Sequence, residues 1–159
     1  MTATTMYMEN HQKAYNDFPA DKCGVGENIG KIHVSYDKFT VVNATHGEFE
    51  VGDLLYGPKI PSQARILDVI VTSEILGTTG IFSAGWLTNG TEATDTDGFI
   101  DAIDAGGQAV TEKMTSGLAN AAGQFIKLSA ETQFVLACTE ASTSADGKVI
   151  EVAVVYAMA

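Results

Sequence analysis

The acidic segment from Thr94 to Asp104 comes nearest, in residue types and spacing, to a known chemical site. Its sequence is TDTDGFIDAID, and five of its residues fall on positions 3, 5, 6, 9 and 12 of a helix-loop-helix calcium site: Asp95, Asp97, Gly98, Asp101 and Asp104. The first position, however, is Ala93, and the last lacks the bidentate glutamate. The preceding Leu87-Thr88-Asn89-Gly90 does not resemble an incoming helix. The pattern therefore favours a solvated acidic loop, and we predict no metal and no other cofactor.

The other groups that could do chemistry are scattered. None of the three histidines, His11, His33 and His46, lies within a short spacing of another histidine or a cysteine, which disfavours a zinc site or a histidine base. No serine stands in a Gly-x-Ser-x-Gly elbow, and no phosphate-binding glycine motif is present. The glycine-punctuated stretch from Cys23 to Gly30 follows no buried strand, so we interpret it as a hinge. We predict that the chain is not an enzyme.

The sequence also predicts whether the cysteine and tryptophan side chains are buried. Cys138 continues an apolar row with Phe134 and Leu136, which is typical of a buried thiol, and the sequence leaves open whether it pairs with Cys23. The single tryptophan, Trp86, alternates with Phe82 in a strand pattern, which favours core packing over a platform for sugars.

Composition limits the class of protein. The 159 residues suit one domain, and 45% hydrophobic with 18% charged residues is typical of a globular chain. The formal net charge of -11 disfavours nucleic acid and anionic membranes as partners, because each phosphate contact needs a lysine or arginine. Residues 1–20 carry no secretory signal, and no apolar run is long enough to span a bilayer. We expect synthesis in a reducing cytoplasm.

Alternating apolar residues dominate the chain from Lys31 onward. Arg65 to Ile75 reads as a half-buried strand, and Leu76-Gly77-Thr78-Thr79-Gly80 reads as a hairpin turn into a second strand. A second hairpin is predicted at Asp146-Gly147, between strands over 132–140 and 149–158. The apolar row changes from even positions, ending at Tyr36, to odd positions, which predicts a bulge or turn near Asp37-Lys38.

Thr91 to Gly107 is read as a polar excursion with one short helical turn around Phe99 to Ile103. About eight short strands without a long amphipathic helix predict an all-β fold, an antiparallel β-sandwich, and the strand number fits an eight-stranded jelly roll. We assign this domain to residues 31–159.

Residues 1–30 have neither the helical nor the strand period. We interpret them as an extended N-terminal arm, and the alternative is a short helix over 9–18. Scattered apolar side chains of this kind need a surface to lie on, either their own domain or a neighbouring subunit. The candidate partner-binding residues are Met6, Tyr7, Met8, Tyr15 and Phe18.

Three segments carry a resemblance to a known family: GPKIPSQARILDVIV at 57–71, LGTTGIFSAGW at 76–86 and ATDTDGFI at 93–100. They resemble the capsid decoration, or cement, proteins of tailed bacteriophages, in which a lysine-aliphatic-proline turn precedes one strand and a glycine-tryptophan pair closes another. The resemblance implies a small β-sandwich on the outside of the head shell, bound as an oligomer near a symmetry axis. The long arm departs from the shorter start of those proteins.

The leading hypothesis is therefore a virion structural protein that binds the outer capsid surface and stabilises it. Its expected partners are the major capsid protein and other copies of itself, as a homotrimer or another small homo-oligomer. Three alternatives stay open: a phage tail or fibre component, a carbohydrate-binding jelly-roll module and, last, a hydrolase.

Overall fold

A computed structural model describes residues 31–115, 126–142 and 145–158, together with the backbone of 5–7. The described chain is almost entirely β-structure. Its elements are β1 (Thr5–Tyr7), β2 (Lys31–Thr40), α1 (Asn43–His46), β3 (Leu54–Ile60), β4 (Ala64–Ser73), β5 (Ile81–Trp86), β6 (Asp95–Asp104), β7 (Val110–Lys113), β8 (Thr132–Glu140) and β9 (Val149–Met158).

The strands form two sheets that face each other. One has the order β3-β8-β5-β6, with β1 added in parallel beside β3, and the other has the order β2-β9-β4-β7. All pairs within these two sets of four strands are antiparallel. Side chains from both sheets fill the space between them, with Phe99 and Phe134 stacked at a centroid distance of 6.3 Å. The predicted all-β sandwich is confirmed.

Both predicted hairpins are wrong, because the strands on either side of each turn belong to different sheets. Leu76 is fully buried, and its N–H donates to the Ala105 carbonyl oxygen at 3.0 Å, so its turn packs against the end of β6. The Asp146-Gly147 turn does form, but Gly147 donates to the carbonyl oxygen of Val41, near β2, at 2.8 Å. Among the described strands that are consecutive in the chain, β5 and β6 do pair.

The predicted bulge at Asp37-Lys38 is also wrong. All ten residues of β2 pair with β9 without a register shift, from Lys31 opposite Met158 to Thr40 opposite Val149. The apparent change of phase has another origin. The even positions, ending at Tyr36, face outward, whereas Asp37 and Phe39 on the odd positions are buried. One continuous strand thus has apolar residues on both faces. In the sequence, the outer row followed by the inner row resembled a single row that changes phase.

The acidic segment is a strand rather than an excursion, and the helical turn predicted there is absent from it. Phe99, Ile100 and Ile103 of β6 are buried in the core. The register against β5 shifts between Ala84 opposite Ile100 and Trp86 opposite Asp95, so β6 bulges there. The bulge turns Phe99 inward against Trp86, at a ring-centroid distance of 4.9 Å. The apolar residues that looked like a helical turn are therefore the inner face of an irregular strand.

Candidate interaction surface

The outer side of the sheet formed by β2, β9 and β4 carries an apolar patch. Cross-strand pairing places Ile32 beside Ala157, Val34 beside Val155 and Tyr36 beside Ala153. Paired residues of an antiparallel ladder point to the same face of the sheet. These six residues therefore form one continuous surface, which we name the β2–β9 outer face.

The outward side chains of β2 are more exposed than those of β9. Ile32 is 66% exposed, Val34 60% and Tyr36 48%, whereas their neighbours on β9 are only half-exposed. Two of those neighbours, Ala153 and Ala157, are alanines and so have short side chains. Single exposed apolar residues are common on proteins, but a contiguous patch indicates an interaction site.

Basic side chains outnumber acidic ones around this face. Pairing places two acidic side chains, those of Asp68 and Glu151, on the same side of the sheet as four basic ones, those of Lys38, Arg65, Lys113 and Lys127. The whole chain, in contrast, has a net charge of -11. The β2–β9 outer face is thus an apolar area with a mostly basic border on a strongly acidic protein.

Hydrogen bonds hold the polar border of the face. The Tyr36 hydroxyl donates to Glu151 Oε1 at 2.8 Å, which fixes the ring over β9. Asp68 accepts hydrogen bonds from its neighbour's N–H, that of Val69, at 2.9 Å and from the Thr115 hydroxyl at 3.2 Å. These contacts keep both carboxylates at defined positions beside the apolar residues.

The apolar row of β2 is the feature that sequence reasoning missed. Ile32, Val34 and Tyr36 were interpreted as the first part of one apolar row that changes phase near Asp37-Lys38, so their outward position was not predicted. The odd positions of β2 could have identified the inner face, because they continue in phase to Phe39 and Val41, both of which are buried. A row that continues in phase with buried residues on both strand and loop marks the inner face, and the other row must then face outward.

The predicted partner-binding residues of the arm fall partly outside the described chain. Met6 and Tyr7 belong to β1, whose backbone lies beside Leu55 and Tyr56 of β3. Met8, Tyr15 and Phe18 lie outside the described residues, as do His11 and Cys23. Their role as binding residues stays a prediction.

The aspartates that partly match the spacing of a calcium site are spread along β6. Asp95 stands opposite Trp86, and Asp104 stands opposite Ile81 at the other end of β5. This extended ladder differs from the compact loop that calcium coordination requires. Burial, followed by a hydrogen bond with Asp97, raises the pKa of the Asp95 carboxyl. Within the described chain, no three His, Cys, Asp or Glu side chains are grouped in a way that could hold a metal ion.

Trp86 lies inside the sandwich. It is 5% exposed, and its indole N–H donates to the Ala93 carbonyl oxygen at 3.0 Å. A ring in this position has no free face on which a sugar could stack, which agrees with the core role predicted from its strand.

The remaining candidates for chemistry are engaged in packing. His33 lies on the inner face of β2 and stacks on Tyr156 at 5.6 Å, and His46 in α1 lies 5.2 Å from the Phe39 ring. Cys138 is a free, buried thiol, and burial, followed by the charge of Asp53, raises its pKa to about 12. Such a thiol is protonated at neutral pH and is therefore a poor nucleophile.

A shallow depression of about 440 Å³ lies along β4, β7 and the start of β9. Its two carboxylates, Glu74 and Glu151, already accept hydrogen bonds from the Val149 N–H and the Tyr36 hydroxyl, each at 2.8 Å.

Within the described residues, no helix has the length and apolarity to cross a membrane.

Comparison with solved structures identifies the fold. A chain in the capsid of Ralstonia phage GP4 superposes with a TM-score of 0.72 at 16% identity, and the match covers 98% of this chain and 99% of that one. The fold is shared with phage capsid chains. A chain of the cyanophage Pam1 capsid asymmetric unit matches with a TM-score of 0.61 at 19% identity, covering 89% of this chain and 95% of that one.

A third similar fold occurs in the acid-stable capsid of Helicobacter pylori bacteriophage KHP30, with a TM-score of 0.50, 14% identity and coverage of 82% and 90% of the two chains. No family model matches the chain, and no curated protein sequence matches it. The three structures share their fold with this chain over most of its length.

Proposed function

We propose that this chain is a structural protein of a phage virion and performs no turnover. The observation that carries the proposal is the whole-length match to a chain in the Ralstonia phage GP4 capsid, which leaves almost no residue of either chain unaligned. A match of that extent means that the entire fold, rather than one common motif within it, corresponds.

We further propose that the fold is an eight-stranded jelly roll. In support, the orders β2-β9-β4-β7 and β3-β8-β5-β6 place strands that are distant in the chain beside each other in each sheet. From β2 to β9, each strand lies in the other sheet from the strand before it, except that β6 follows β5 in the same sheet, and this alternation is expected of a jelly roll. Decoration proteins need such a rigid, compact body because they brace a shell that is under pressure from packaged DNA.

Within the virion, we propose a decoration role on the outer capsid surface, with the major capsid protein as partner and a homotrimer or other small homo-oligomer as the working unit. Three observations support this role: the resemblance carried by 57–71 and 76–86, the net charge of -11, which disfavours contact with the packaged DNA, and the exposed apolar β2–β9 outer face. Several weak contacts made by one oligomer add up to firm attachment through avidity.

The arm, residues 1–30, is proposed to contribute apolar contacts to the shell. Its methionine and aromatic side chains are of the types that dominate interface energetics. Because β1 pairs with β3, deleting the whole arm would also remove a strand. Tyr15→Ala combined with Phe18→Ala is the sharper test, and Tyr7→Ala on β1 serves as the comparison.

The test is cosedimentation of purified protein with undecorated capsids, followed by measurement of the temperature at which the capsids release DNA. We expect binding and a higher release temperature, and weaker binding by the Tyr15/Phe18 variant. Failure to bind intact heads, together with recovery of the protein in purified tails, would support the tail or fibre alternative instead. Equal binding by the Tyr15/Phe18 variant would contradict the role given to the arm.

A further inference from the structure

The basic residues of this acidic protein are concentrated at the β2–β9 outer face. Four of the chain's 9 lysine and arginine side chains lie around it, and all four are exposed. The chain has 20 acidic residues, and within its described part the pairing places two of them, Asp68 and Glu151, beside the same face. Both of these carboxylates accept hydrogen bonds from the protein itself. The border of the face therefore has the opposite charge to the rest of the chain.

The basic side chains surround the apolar residues instead of following one line. Arg65 and Lys127 extend the cross-strand row that begins at Ile32. Lys38 lies at the other end of the outward row of β2, and Lys113 lies across the sheet on β7. An apolar centre with a polar rim is the anatomy of a protein–protein interface. A nucleic acid needs basic side chains spaced along its phosphates, and it would leave the apolar centre unused.

The size of the face indicates how it can be used. The outward residues of β2 from Ile32 to Lys38 span about 20 Å, and the four strands from β2 to β7 span about 14 Å, which gives an area of about 300 Å². A stable pair of proteins buries about 800 Å² on each partner. The face alone is thus too small to hold a second copy firmly. It suits a partner that is held at several places at once, as a shell bound by several subunits of one oligomer would be.

We propose that the β2–β9 outer face docks on the capsid shell, against a shell surface that has an apolar centre bordered by aspartate and glutamate side chains. This inference rests on the proposed function, because the shell is the partner. Such a surface attracts the basic border and repels the acidic remainder of the chain, so charge turns this face towards the shell. The exposed apolar residues then supply affinity, and the basic residues set the orientation.

The test compares Arg65→Glu with Lys148→Glu in binding to undecorated capsids. The two substitutions change the net charge equally. Arg65 borders the outer face, whereas Lys148 lies in the turn before β9, opposite the buried Val41, whose N–H donates to its carbonyl oxygen at 2.8 Å. We expect Arg65→Glu to raise the Kd for capsids about tenfold, and Lys148→Glu to change it less than about twofold. Lys127→Glu, at the residue bridged to Arg65, should repeat the loss. Circular dichroism and the melting temperature check that each variant folds.

Salt separates a direct charge contact from the effect of net charge. Raising NaCl from 0.05 to 0.5 M should reduce the difference between wild type and Arg65→Glu to about two- to threefold, because screening weakens attraction between exposed charges. The apolar centre has its own matched pair. Val34→Ser should weaken binding at both salt concentrations, whereas Val51→Ser, at a valine of similar exposure in the turn before β3, should not.

The outcomes distinguish this inference from the proposed function. Loss of binding in Arg65→Glu and Lys127→Glu, with normal binding by Lys148→Glu, supports both. Equal binding by wild type and all three variants overturns the inference and leaves the proposed function intact. The inference is also overturned if Arg65→Glu abolishes self-association of the free protein, or binding to a DNA duplex, without changing capsid binding. A wild type that does not bind capsids contradicts both.

Discussion

The six-membered edge of the Trp86 indole lies so close to the Cα of Gly98 that no side chain fits between them. A Cβ built on Gly98 would lie 2.3 Å from Cζ3 and 2.5 Å from Cη2 of that ring. The ring cannot easily retreat, because its N–H is bonded to Ala93 and its face packs against Phe99. The bulge of β6 therefore depends on glycine at this position for its packing.

Gly98→Ala should destabilise the fold by about 1–3 kcal/mol, because the added methyl group overpacks a rigid part of the core. Urea denaturation followed by circular dichroism measures the change in every variant. Trp86→Phe removes the contacting edge of the ring, so Gly98→Ala should cost clearly less in a Trp86→Phe background. An equal cost in both backgrounds would show that the backbone of the bulge, rather than the ring, demands glycine.

Asp95→Asn should stabilise the protein at neutral pH. Burial and the neighbouring Asp97 raise the pKa of Asp95 in the folded state. A raised carboxyl pKa means that the folded state holds the proton more tightly, so this group's contribution is most favourable at low pH and declines as pH rises through the folded pKa. The stability gain of Asp95→Asn over wild type should therefore grow between about pH 3 and pH 7.

The control for that series is Asp101→Asn, an exposed position on the same strand. Its stability difference from wild type should change less over the same pH range. A gain at Asp95→Asn that stays constant with pH would contradict the assignment of the effect to ionisation.

Glu92→Gln should destabilise the protein at pH 7 and lose its effect in acid. Glu92 Oε1 accepts hydrogen bonds from the Ser129 hydroxyl at 2.6 Å and from the Ser129 N–H at 3.0 Å, and a further bond comes from Asn89. These bonds lower the pKa of Glu92 from 4.5 to about 2. Stability from such a group is present above the unfolded pKa and is lost as pH falls from 4.5 towards 2.

Thermal melts of wild type and Glu92→Gln at several pH values between 2 and 7 would measure this convergence. Glu48→Gln, at an exposed site in the segment after α1, is the matched control. If the two wild-type and variant curves stay equally separated at pH 2, the ionised carboxylate is not the source of the stabilisation.

Calcium should leave the melting temperature unchanged. The aspartates that match the calcium pattern lie along strand β6, where Asp95 and Asp104 pair with residues at opposite ends of β5. Differential scanning calorimetry in chelator and in millimolar calcium should therefore give the same midpoint. A rise of several degrees in calcium that disappears in Asp95→Ala would contradict this prediction.

Sequence patterning was sufficient for the fold class but insufficient for the connections. Strict alternation in β9, where every second residue from Ile150 to Tyr156 is buried, reports one buried face and is the kind of pattern that identifies strands and a sandwich. A turn sequence such as Asp146-Gly147 reports only that the chain reverses. It says nothing about which sheet receives the next strand, because that choice depends on long-range contacts such as the one between Gly147 and Val41.

The interaction surface was harder to predict for a related reason. A row such as Ile32, Val34 and Tyr36 shows the same alternation of apolar residues whether its side chains pack inside the sandwich or lie exposed on its surface. Burial of the opposite row decides between the two, and that row contains Asp37, a residue type that sequence reasoning places outside. The irregular strand β6 was missed because its bulge destroys the two-residue period at Gly98 and Phe99.

The position of β9 has a consequence for synthesis of the protein. Residues 149–158 form the strand that lies between β2 and β4, so the ladder that starts at Lys31 has its partner more than a hundred positions downstream. During synthesis, β2 therefore has no partner strand until residues 149–158 have left the ribosome, and only then can the β2–β9 ladder form. The sheet therefore cannot be completed before residues 149–158 are available, and a chain that lacks them would expose unpaired edges on both β2 and β4.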